Sequence, residues 1–186
     1  MRIVGGKFSG HRLVTPQSLA IRPTSDRTRE SLFNILSHRS QDFWRGKRVL
    51  DLFAGTGALG AEALSRGAEA VLFVETLAQA RGIIQQNIEA LSLQGKARIL
   101  RRDATTLGMA GTIKPFDVVF ADPPYGKGLG ERAFQSALVG GWTQLDTLFV
   151  LEEAMDASIV LDKAFHLLDT RIYGNSMIRF YQTISD

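Results

Sequence analysis

The feature that most constrains this chain is an apolar run that stops abruptly at an acid and two prolines, Phe116-Asp117-Val118-Val119-Phe120-Ala121-Asp122-Pro123-Pro124-Tyr125-Gly126. The segment from Val118 to Ala121 does not alternate with polar residues, which is typical of a strand buried on both faces in a parallel sheet. Because proline cannot continue a central strand, we predict that this strand ends near Asp122. Ligands of open parallel sheets bind outside the carboxyl ends of the strands, so Asp122 and Tyr125 are candidates for chemistry. An ordinary proline-rich turn has the same local pattern.

Strand-like and helix-like segments alternate after Lys47, which predicts a parallel, doubly wound sheet. The predicted strands are 48–53, 70–75, 97–100, 118–121 and 147–151. Two more strand-like segments, 164–173 and 176–183, are separated only by Gly174-Asn175, a dipeptide that favours a tight hairpin. We therefore expect the sheet to finish with an antiparallel strand.

The N-terminal part of the chain reads differently. Ile3-Val4 and Arg12-Leu13-Val14 are expected to pair as a small hairpin. A helix follows, capped by Thr24, Ser25 or Asp26 and ending near His38–Ser40. Residues 1–48 hold ten Lys and Arg residues against three Asp and Glu, whereas the whole chain has a net charge of only +3. This basic segment on a mildly acidic body suggests a polyanionic ligand, with a solvated basic surface as the alternative.

The composition excludes several kinds of site. The chain has no cysteine, so disulfides, iron–sulfur clusters, cysteine-ligated zinc and a cysteine nucleophile are ruled out. His11, His38 and His166 show no metal-ligand spacing, and we expect no metal site. No apolar run approaches the roughly 20 residues that cross a bilayer, and the N-terminus does not resemble a signal peptide. We therefore expect a cytoplasmic protein with no membrane partner.

A glycine-rich segment, Gly55-Thr56-Gly57-Ala58-Leu59-Gly60, matches the pattern G-x-G-x-x-G between a predicted strand and a predicted helix. Glu75 ends the next strand, where a carboxylate can bind ribose hydroxyls, so a dinucleotide site is the first interpretation. Asp51 argues against it, because a carboxylate beside a helix N-terminus would repel a pyrophosphate. The acid suits a cationic ligand without phosphate, such as S-adenosylmethionine with its sulfonium and α-amino groups.

Acidic side chains end four successive predicted strands, namely Asp51, Glu75, Asp103 and Asp122. The carboxyl ends of parallel strands lie at one edge of a sheet, so the four acids together predict a binding cleft. Asp103 is the candidate acceptor for an adenine amine.

These residues resemble those of class I S-adenosylmethionine-dependent methyltransferases. Asp51-Leu52-Phe53-Ala54-Gly55-Thr56-Gly57 is similar to the cofactor motif, and Asp122-Pro123-Pro124-Tyr125 to the catalytic motif of enzymes that methylate conjugated amines. The resemblance implies an α/β, Rossmann-like fold with a mostly parallel seven-stranded sheet, helices on both faces and a C-terminal antiparallel hairpin, plus a small N-terminal hairpin-and-helix extension. It implies S-adenosylmethionine as the cofactor, bound by Asp51, Phe53, Ala54, Gly55, Thr56, Gly57, Glu75, Thr76, Asp103 and Ala104.

A narrower resemblance covers the whole chain. The N-terminal signature of the bacterial RsmD family resembles Arg2-Ile3-Val4-Gly5-Gly6, Arg22-Pro23-Thr24, Asp26-Arg27, Arg29-Glu30 and Leu32-Phe33-Asn34, and Gly57–Gly60 and Glu62–Gly67 resemble the same family. Those enzymes methylate N2 of guanine 966 in 16S ribosomal RNA. Leu77 departs from the pattern, because related enzymes often have a polar residue there, on the adenosine side of the pocket.

The resemblance and the charge distribution together predict two domains. Residues 1–46 are expected to form a basic RNA-binding extension, and residues 47–186 the methyltransferase domain. The predicted phosphate contacts are Arg2, Lys7, Arg12, Arg22, Arg27 and Arg29. The expected partner is 16S ribosomal RNA, either free or within an assembling small ribosomal subunit, and the protein is expected to be a monomer.

The mechanism that the motif implies relies on acceptors for a flat amine. The Asp122 carboxylate and the Pro123 carbonyl would accept hydrogen bonds from the two N–H groups of the amine. Pro123 and Pro124 would fix the backbone in advance. Tyr125 would stack on an extruded base or, alternatively, pack on the cofactor as a lid. Asp122 need not be a strong base, since an alkylated amine is acidic.

Other functions stay open at the level of sequence. The methylated amine could be adenine N6 of DNA or RNA, or a protein glutamine. A nicotinamide-dependent oxidoreductase is disfavoured by Asp51 and by the Asp-Pro-Pro-Tyr turn. A non-catalytic RNA-binding module is the third alternative.

Overall fold

The computed structural model describes residues 1–16 and 25–183, and this part of the chain contains seven strands and four α-helices. The strands are β1 (Arg48–Leu52), β2 (Ala70–Val74), β3 (Ala97–Leu100), β4 (Phe116–Ala121), β5 (Thr143–Ala154), β6 (Phe165–Tyr173) and β7 (Ser176–Thr183). The helices are α1 (Asp26–Ser37), α2 (Ala58–Ser65), α3 (Ala78–Ala90) and α4 (Leu129–Val139). Short 3-10 turns occupy Gly6–Phe8 and Ala104–Thr106.

The strands form one sheet in the order β3-β2-β1-β4-β5-β7-β6. The pairs β1 with β2, β2 with β3 and β4 with β5 are parallel, and β7 is antiparallel to both β5 and β6. The predicted mostly parallel seven-stranded sheet with a closing antiparallel hairpin is confirmed. Strands β1, β2 and β4 are buried almost throughout, as their mainly apolar sequences predict.

The chain divides by compactness into two units, Met1–Arg101 and Arg102–Asp186. Residues 46 and 47, between which a domain boundary is predicted, both lie in the first unit; the functional division into an RNA-binding extension and a methyltransferase domain stays a prediction. Within the first unit, the N-terminal segment packs on α2 through polar contacts. The Val4 N–H donates to the buried carboxylate of Glu62 at 2.8 Å, and the Ser65 hydroxyl donates to the Gly5 carbonyl at 2.6 Å.

The predicted N-terminal hairpin is reduced to a single antiparallel bridge between Arg2 and Arg12. The chain between them turns at Gly6, whose φ of +74° lies in the left-handed region. A Cβ on Gly6 would lie 2.0 Å from the carbonyl oxygen of Ser65, so only glycine allows this approach to the end of α2.

Helix α1 begins where a cap was expected. The Ser25 hydroxyl accepts a hydrogen bond of 3.0 Å from the Thr28 N–H, which satisfies one of the unpaired donors of the first turn. The helix buries Leu32, Phe33 and Leu36, the face that the apolar spacing predicts.

The second unit contains the segment with which the sequence analysis began. Strand β4 ends at Ala121, one residue before Asp122, as predicted. Strand β5 is longer than the predicted 147–151, because it also includes the more polar residues 143–146 and 152–154. The turn between β6 and β7 is at Gly174-Asn175, where Gly174 has a φ of +60°, so the predicted hairpin is confirmed.

Candidate active site

The glycine turn after β1 is conformationally unusual, because three of its residues have left-handed backbones. Gly55 and Gly57 have φ values of +56° and +75°, and Phe53, which is not a glycine, has a φ of +58°. A non-glycine residue in this region costs on the order of 1–3 kcal/mol, and such strain is concentrated at functional sites. The strain at Phe53 therefore supports a ligand-binding role for this turn.

Asp51 lies beneath the turn with only 1% of its surface exposed, and its carboxylate accepts a hydrogen bond of 2.9 Å from the Gly60 N–H in the first turn of α2. Burial, with a smaller contribution from the negative charge of Glu75, raises the pKa of this carboxyl to about 8, against the lowering effect of the hydrogen bond from the Gly60 N–H. The protein thus provides its own acid at the helix end where a dinucleotide would place its pyrophosphate. This arrangement suits the cationic amino acid end of S-adenosylmethionine and disfavours a phosphate there.

Glu75 holds the glycine turn to the end of β2. One of its oxygens accepts from the Gly55 N–H at 3.0 Å and the other from the Leu77 N–H at 2.8 Å. Each carboxylate oxygen has a second lone pair, so both can also accept from the vicinal hydroxyls of a ribose. Thr76 is exposed, and its carbonyl accepts a hydrogen bond from Arg81.

The third glycine of the pattern is required by packing. A Cβ on Gly60 would lie 2.3 Å from the Phe73 ring and 2.7 Å from Val71, so helix α2 lies too close to β2 for any side chain at this position. Gly60 therefore serves both this close contact and, through its N–H, the bond to Asp51.

Asn87 is a polar residue of this site that the sequence analysis missed. It is buried in α3, and its amide nitrogen donates to the Thr56 carbonyl at 3.0 Å and to the Val14 carbonyl at 3.2 Å. Its amide oxygen accepts from the Val14 N–H at 2.7 Å. A signal was present, because Asn87 interrupts the apolar stripe formed by Ala80 and Ile84 on the same helix face.

In the second unit, Asp103 lies at the surface before the 3-10 turn. Its Oδ1 accepts from both the hydroxyl and the N–H of Thr105, at 2.7 and 2.8 Å. These hydrogen bonds, the hydroxyl first, lower the pKa of the carboxyl, so Asp103 is an ionised acceptor at neutral pH. Ala104 next to it is buried.

The loop that follows β4 combines a rigid start with a tethered ring. Asp122 is half-buried, Pro123 is buried and Pro124 is exposed. The Tyr125 hydroxyl donates to the Glu152 carboxylate at 2.8 Å. Burial, followed by the negative charge of Glu152, raises the pKa of Tyr125, so the phenol stays protonated and cannot serve as a base.

The contacts from β5 were not predicted. Besides the bond from Tyr125, the Gly126 N–H donates to the carboxylate of Glu153 at 2.9 Å. Both glutamates are more than nine-tenths buried. The signal for them is a pair of acids directly after the apolar segment 148–151, at the end of a strand.

The predicted RNA contacts separate into three groups. Arg2, Lys7, Arg12 and Arg27 are exposed. Arg29 is fully buried and donates to the Arg2 carbonyl and to Asp26, so the prediction that it contacts phosphate is wrong. Arg22 lies outside the described residues.

Within residues 1–16 and 25–183, no cluster of three or more histidine, aspartate or glutamate side chains has the arrangement of a metal site. A search of the same ranges also finds no helix that is long and apolar enough to span a bilayer.

Comparison with known proteins shows the family to which the chain belongs. The family model described as Conserved hypothetical protein 95 matches residues 1–182. The chain is 36% identical over 186 residues to ribosomal RNA small subunit methyltransferase D of Escherichia coli K12, covering 98% of this chain and 89% of that relative. The corresponding enzyme of Haemophilus influenzae is 32% identical, with 98% and 93% of the two chains covered. The chain belongs to the RsmD family.

Solved structures have the same fold. A structure described as a methyltransferase, yhhF of Escherichia coli, superposes with a TM-score of 0.84 and 31% identity, over 98% of this chain and 97% of that one. The seven-stranded sheet described above is accordingly the Rossmann-like sheet of class I methyltransferases, and the resemblance drawn from the cofactor and catalytic motifs is confirmed at the level of family and fold.

Proposed function

We propose that this RsmD-family protein transfers a methyl group from S-adenosylmethionine to the exocyclic N2 amine of guanine 966 in 16S ribosomal RNA. Its relatives in Escherichia coli and Haemophilus influenzae are named as ribosomal RNA small subunit methyltransferases. The observation that carries the proposal is the loop of Asp122 to Tyr125, which provides a half-buried carboxylate and a hydrogen-bonded ring at the carboxyl end of a parallel strand.

The residues of the first unit fit the proposed cofactor. When bound, S-adenosylmethionine supplies an electrophilic methyl group on a sulfonium sulfur. Asp51 offers a buried carboxyl group to the α-amino end of the cofactor, and Glu75 offers acceptors to the ribose hydroxyls. Asp103, in the second unit, offers an ionised acceptor to the adenine amine.

The loop residues act on the amine. The lone pair of an exocyclic guanine amine is delocalised into the ring, which makes it a poor nucleophile. Asp122 and the Pro123 carbonyl accept hydrogen bonds from the two N–H groups of the amine. Because these acceptors are already in place, they localise the nitrogen lone pair for attack on the methyl group. The proton that the new secondary amine must lose passes to Asp122 or to solvent. Tyr125 stacks on the base, a contact worth about 1–3 kcal/mol.

RNA binding uses the exposed arginine and lysine side chains of the N-terminal segment. Arg2, Lys7, Arg12 and Arg27 are available to phosphate, and neutralising phosphates releases counterions from the RNA. The target guanine must leave its stack to reach an acceptor pair, which a loop or an assembly intermediate makes easier.

The test is to map methylated nucleotides in ribosomal RNA from cells that lack this chain and from cells complemented with variants. Wild-type protein should restore N2-methylguanine at position 966, and Asp122→Asn should not. The purified Asp122→Asn protein should transfer methyl groups at least about 100-fold more slowly than wild type, with unchanged affinity for the cofactor. Asp117→Asn is the matched control, because this half-exposed aspartate lies on the same strand, five residues before Asp122.

The outcomes separate the alternatives. If cells that lack this chain lose a methylated adenine or a methylated glutamine instead, that group is the substrate in place of guanine 966. A fully functional Asp122→Asn protein would favour a non-catalytic RNA-binding role. Assays of the purified protein with free 16S RNA and with partially assembled small subunits would identify the form of substrate.

A further inference from the structure

Tyr125 lies between a rigid stretch of backbone and a flexible one. Pro123 and Pro124 precede it and restrict their φ angles. Gly126 and Gly128 follow it with φ values of +73° and +60°, and neither has a neighbour closer than about 4 Å from where a Cβ would be. The backbone after the ring is therefore permissive, and the prolines alone do not determine where the ring points.

The end of β5 provides the missing restraint. Glu152 accepts the hydroxyl hydrogen of Tyr125 at 2.8 Å, and Glu153 accepts the backbone N–H of Gly126 at 2.9 Å. Glu153 also accepts from the Ala154 N–H at 2.8 Å, so its own side chain is held in place. Ser176, at the start of β7, lies close enough to the Tyr125 hydroxyl to lower its pKa. Ser176 pairs with Ala154 in the sheet, so the hydroxyl lies near two adjacent strands.

Both acids are expensive to bury, with exposures of only 8% for Glu152 and 2% for Glu153. A buried carboxylate is tolerated where it makes strong hydrogen bonds, and those to a charged acceptor are about twice as strong as neutral ones. The free-energy cost of burying two carboxylates next to the loop of Asp122 to Gly126 indicates that they serve to hold this loop in place.

We propose that Glu152 is a positioning residue for methyl transfer, which fixes the position of the Tyr125 ring against the target base through the phenol hydroxyl. Glu153 holds the following backbone, so that the side chain and the main chain of the loop are restrained separately. This inference rests on the proposed function, because the base is the group against which the ring is aligned.

The test is a double-mutant cycle on methyl transfer to ribosomal RNA. Tyr125→Phe keeps the ring but loses the tether, and Glu152→Ala removes the acceptor. Each should lower kcat/KM for RNA about tenfold, and the double variant should be no worse than either single variant. Glu152→Gln retains an oxygen acceptor and should stay within about threefold of wild type. Cofactor affinity should change less than about twofold in all variants. Tyr173→Phe, which removes a phenol hydroxyl from β6, is the matched control.

A second readout does not depend on activity. The chain has three tyrosines, so ring-labelled tyrosine gives a simple NMR spectrum in which Tyr125 can be assigned by its Phe variant. The ring signals of Tyr125 should keep their chemical shifts in Glu152→Gln and should move towards those of an unrestrained tyrosine in Glu152→Ala.

The inference is overturned if the losses in Tyr125→Phe and Glu152→Ala multiply in the double variant, or if Glu152→Ala leaves the ring signal unchanged. If wild-type protein methylates no ribosomal RNA, the proposed function fails, whereas the ring spectrum still reports whether Glu152 holds Tyr125. If Glu152→Ala does not fold, the comparison of Tyr125→Phe with Glu152→Gln decides: similar tenfold losses in both would contradict the tether.

Discussion

The buried carboxylate of Asp51 accepts a hydrogen bond from the backbone N–H of Gly60, 2.9 Å away, and so joins the end of β1 to the first turn of α2. This bond places an acid at a helix N-terminus, where the macrodipole favours negative charge. Burial nevertheless dominates and raises the pKa of Asp51 to about 8.

The first prediction concerns pH. Because the pKa of folded Asp51 lies above its unfolded value near 3.8, its contribution to stability is complete below that value and is lost as pH rises towards 8. Asp51→Asn cannot ionise, so its free energy of unfolding should lack this decline and differ from the wild-type trend by at least about 1.4 kcal/mol between pH 5 and 9. Urea unfolding at several pH values measures it. Asp103→Asn is the control, since the lowered pKa of Asp103 confines its effect to acid pH; parallel curves for Asp51→Asn and wild type would refute the prediction.

The second prediction compares two glycine-to-alanine changes in helices. Gly60→Ala places a methyl group 2.3 Å from the Phe73 ring and should destabilise the protein by about 1–3 kcal/mol. Gly82→Ala is the matched control, because Gly82 is exposed in the middle of α3 with no atom within 4 Å. It should stabilise the protein by about 0.5–1 kcal/mol through helix propensity. Chemical denaturation measures both changes, and effects of the same sign would contradict the packing argument.

The third prediction separates two arginines of α1. Arg27 is exposed, so Arg27→Ala should weaken RNA binding and reduce the slope of log K against log salt by about one phosphate contact, without loss of stability. Arg29 is buried, so Arg29→Ala should instead cost about 1–3 kcal/mol in unfolding free energy, because the Arg2 carbonyl loses the Arg29 donor and Asp26 loses one of its partners. Filter binding across a salt series and thermal unfolding give the two quantities. An unchanged salt slope for Arg27→Ala would remove Arg27 from the RNA surface.

The fourth prediction concerns Asn87, which connects the N-terminal segment to the glycine turn. Asn87→Ala leaves the polar groups of Val14 and the Thr56 carbonyl without partners, at a cost of about 1–3 kcal/mol. Affinity for S-adenosylmethionine should fall as well, because Thr56 belongs to the turn. Gln85→Ala, an exposed change on the same helix, should alter neither property. Calorimetric titration with the cofactor and a melting curve test the pair; full cofactor affinity in Asn87→Ala would limit Asn87 to a stabilising role.

Short-range patterns were sufficient for much of the fold. Short, mainly apolar segments predicted β1, β2 and β4, and Gly174-Asn175 predicted the hairpin, because each pattern is determined by neighbouring residues. The burial of Arg29 was also within reach. Arg29 precedes Leu32, Phe33 and Leu36 at helical spacing, which places it on the apolar face of α1, although charge alone suggested the surface.

Long-range partners were not accessible from the sequence. Glu152 and Glu153 are 27 residues from the loop residues that they bind, and no local period connects the two segments. The attachment of Val4 and Gly5 to α2 crosses 58 and 60 residues in the same way. These contacts depend on tertiary packing, which explains why the site residues on β1, β2 and β4 could be named while those that hold them could not.

The position of β7 has a consequence for synthesis. Strand β6 adjoins no strand of the sheet except β7, which is made after it and lies between it and β5. While a ribosome has released the chain only as far as Asn175, β6 exists without the strand that attaches it, and β5 has one open side. Completion of this side of the sheet therefore waits until β7 has emerged, and Ser176 can pair with Ala154 only at that stage. Limited proteolysis of ribosome-stalled chains would show it, with β6 becoming protected only when β7 has emerged.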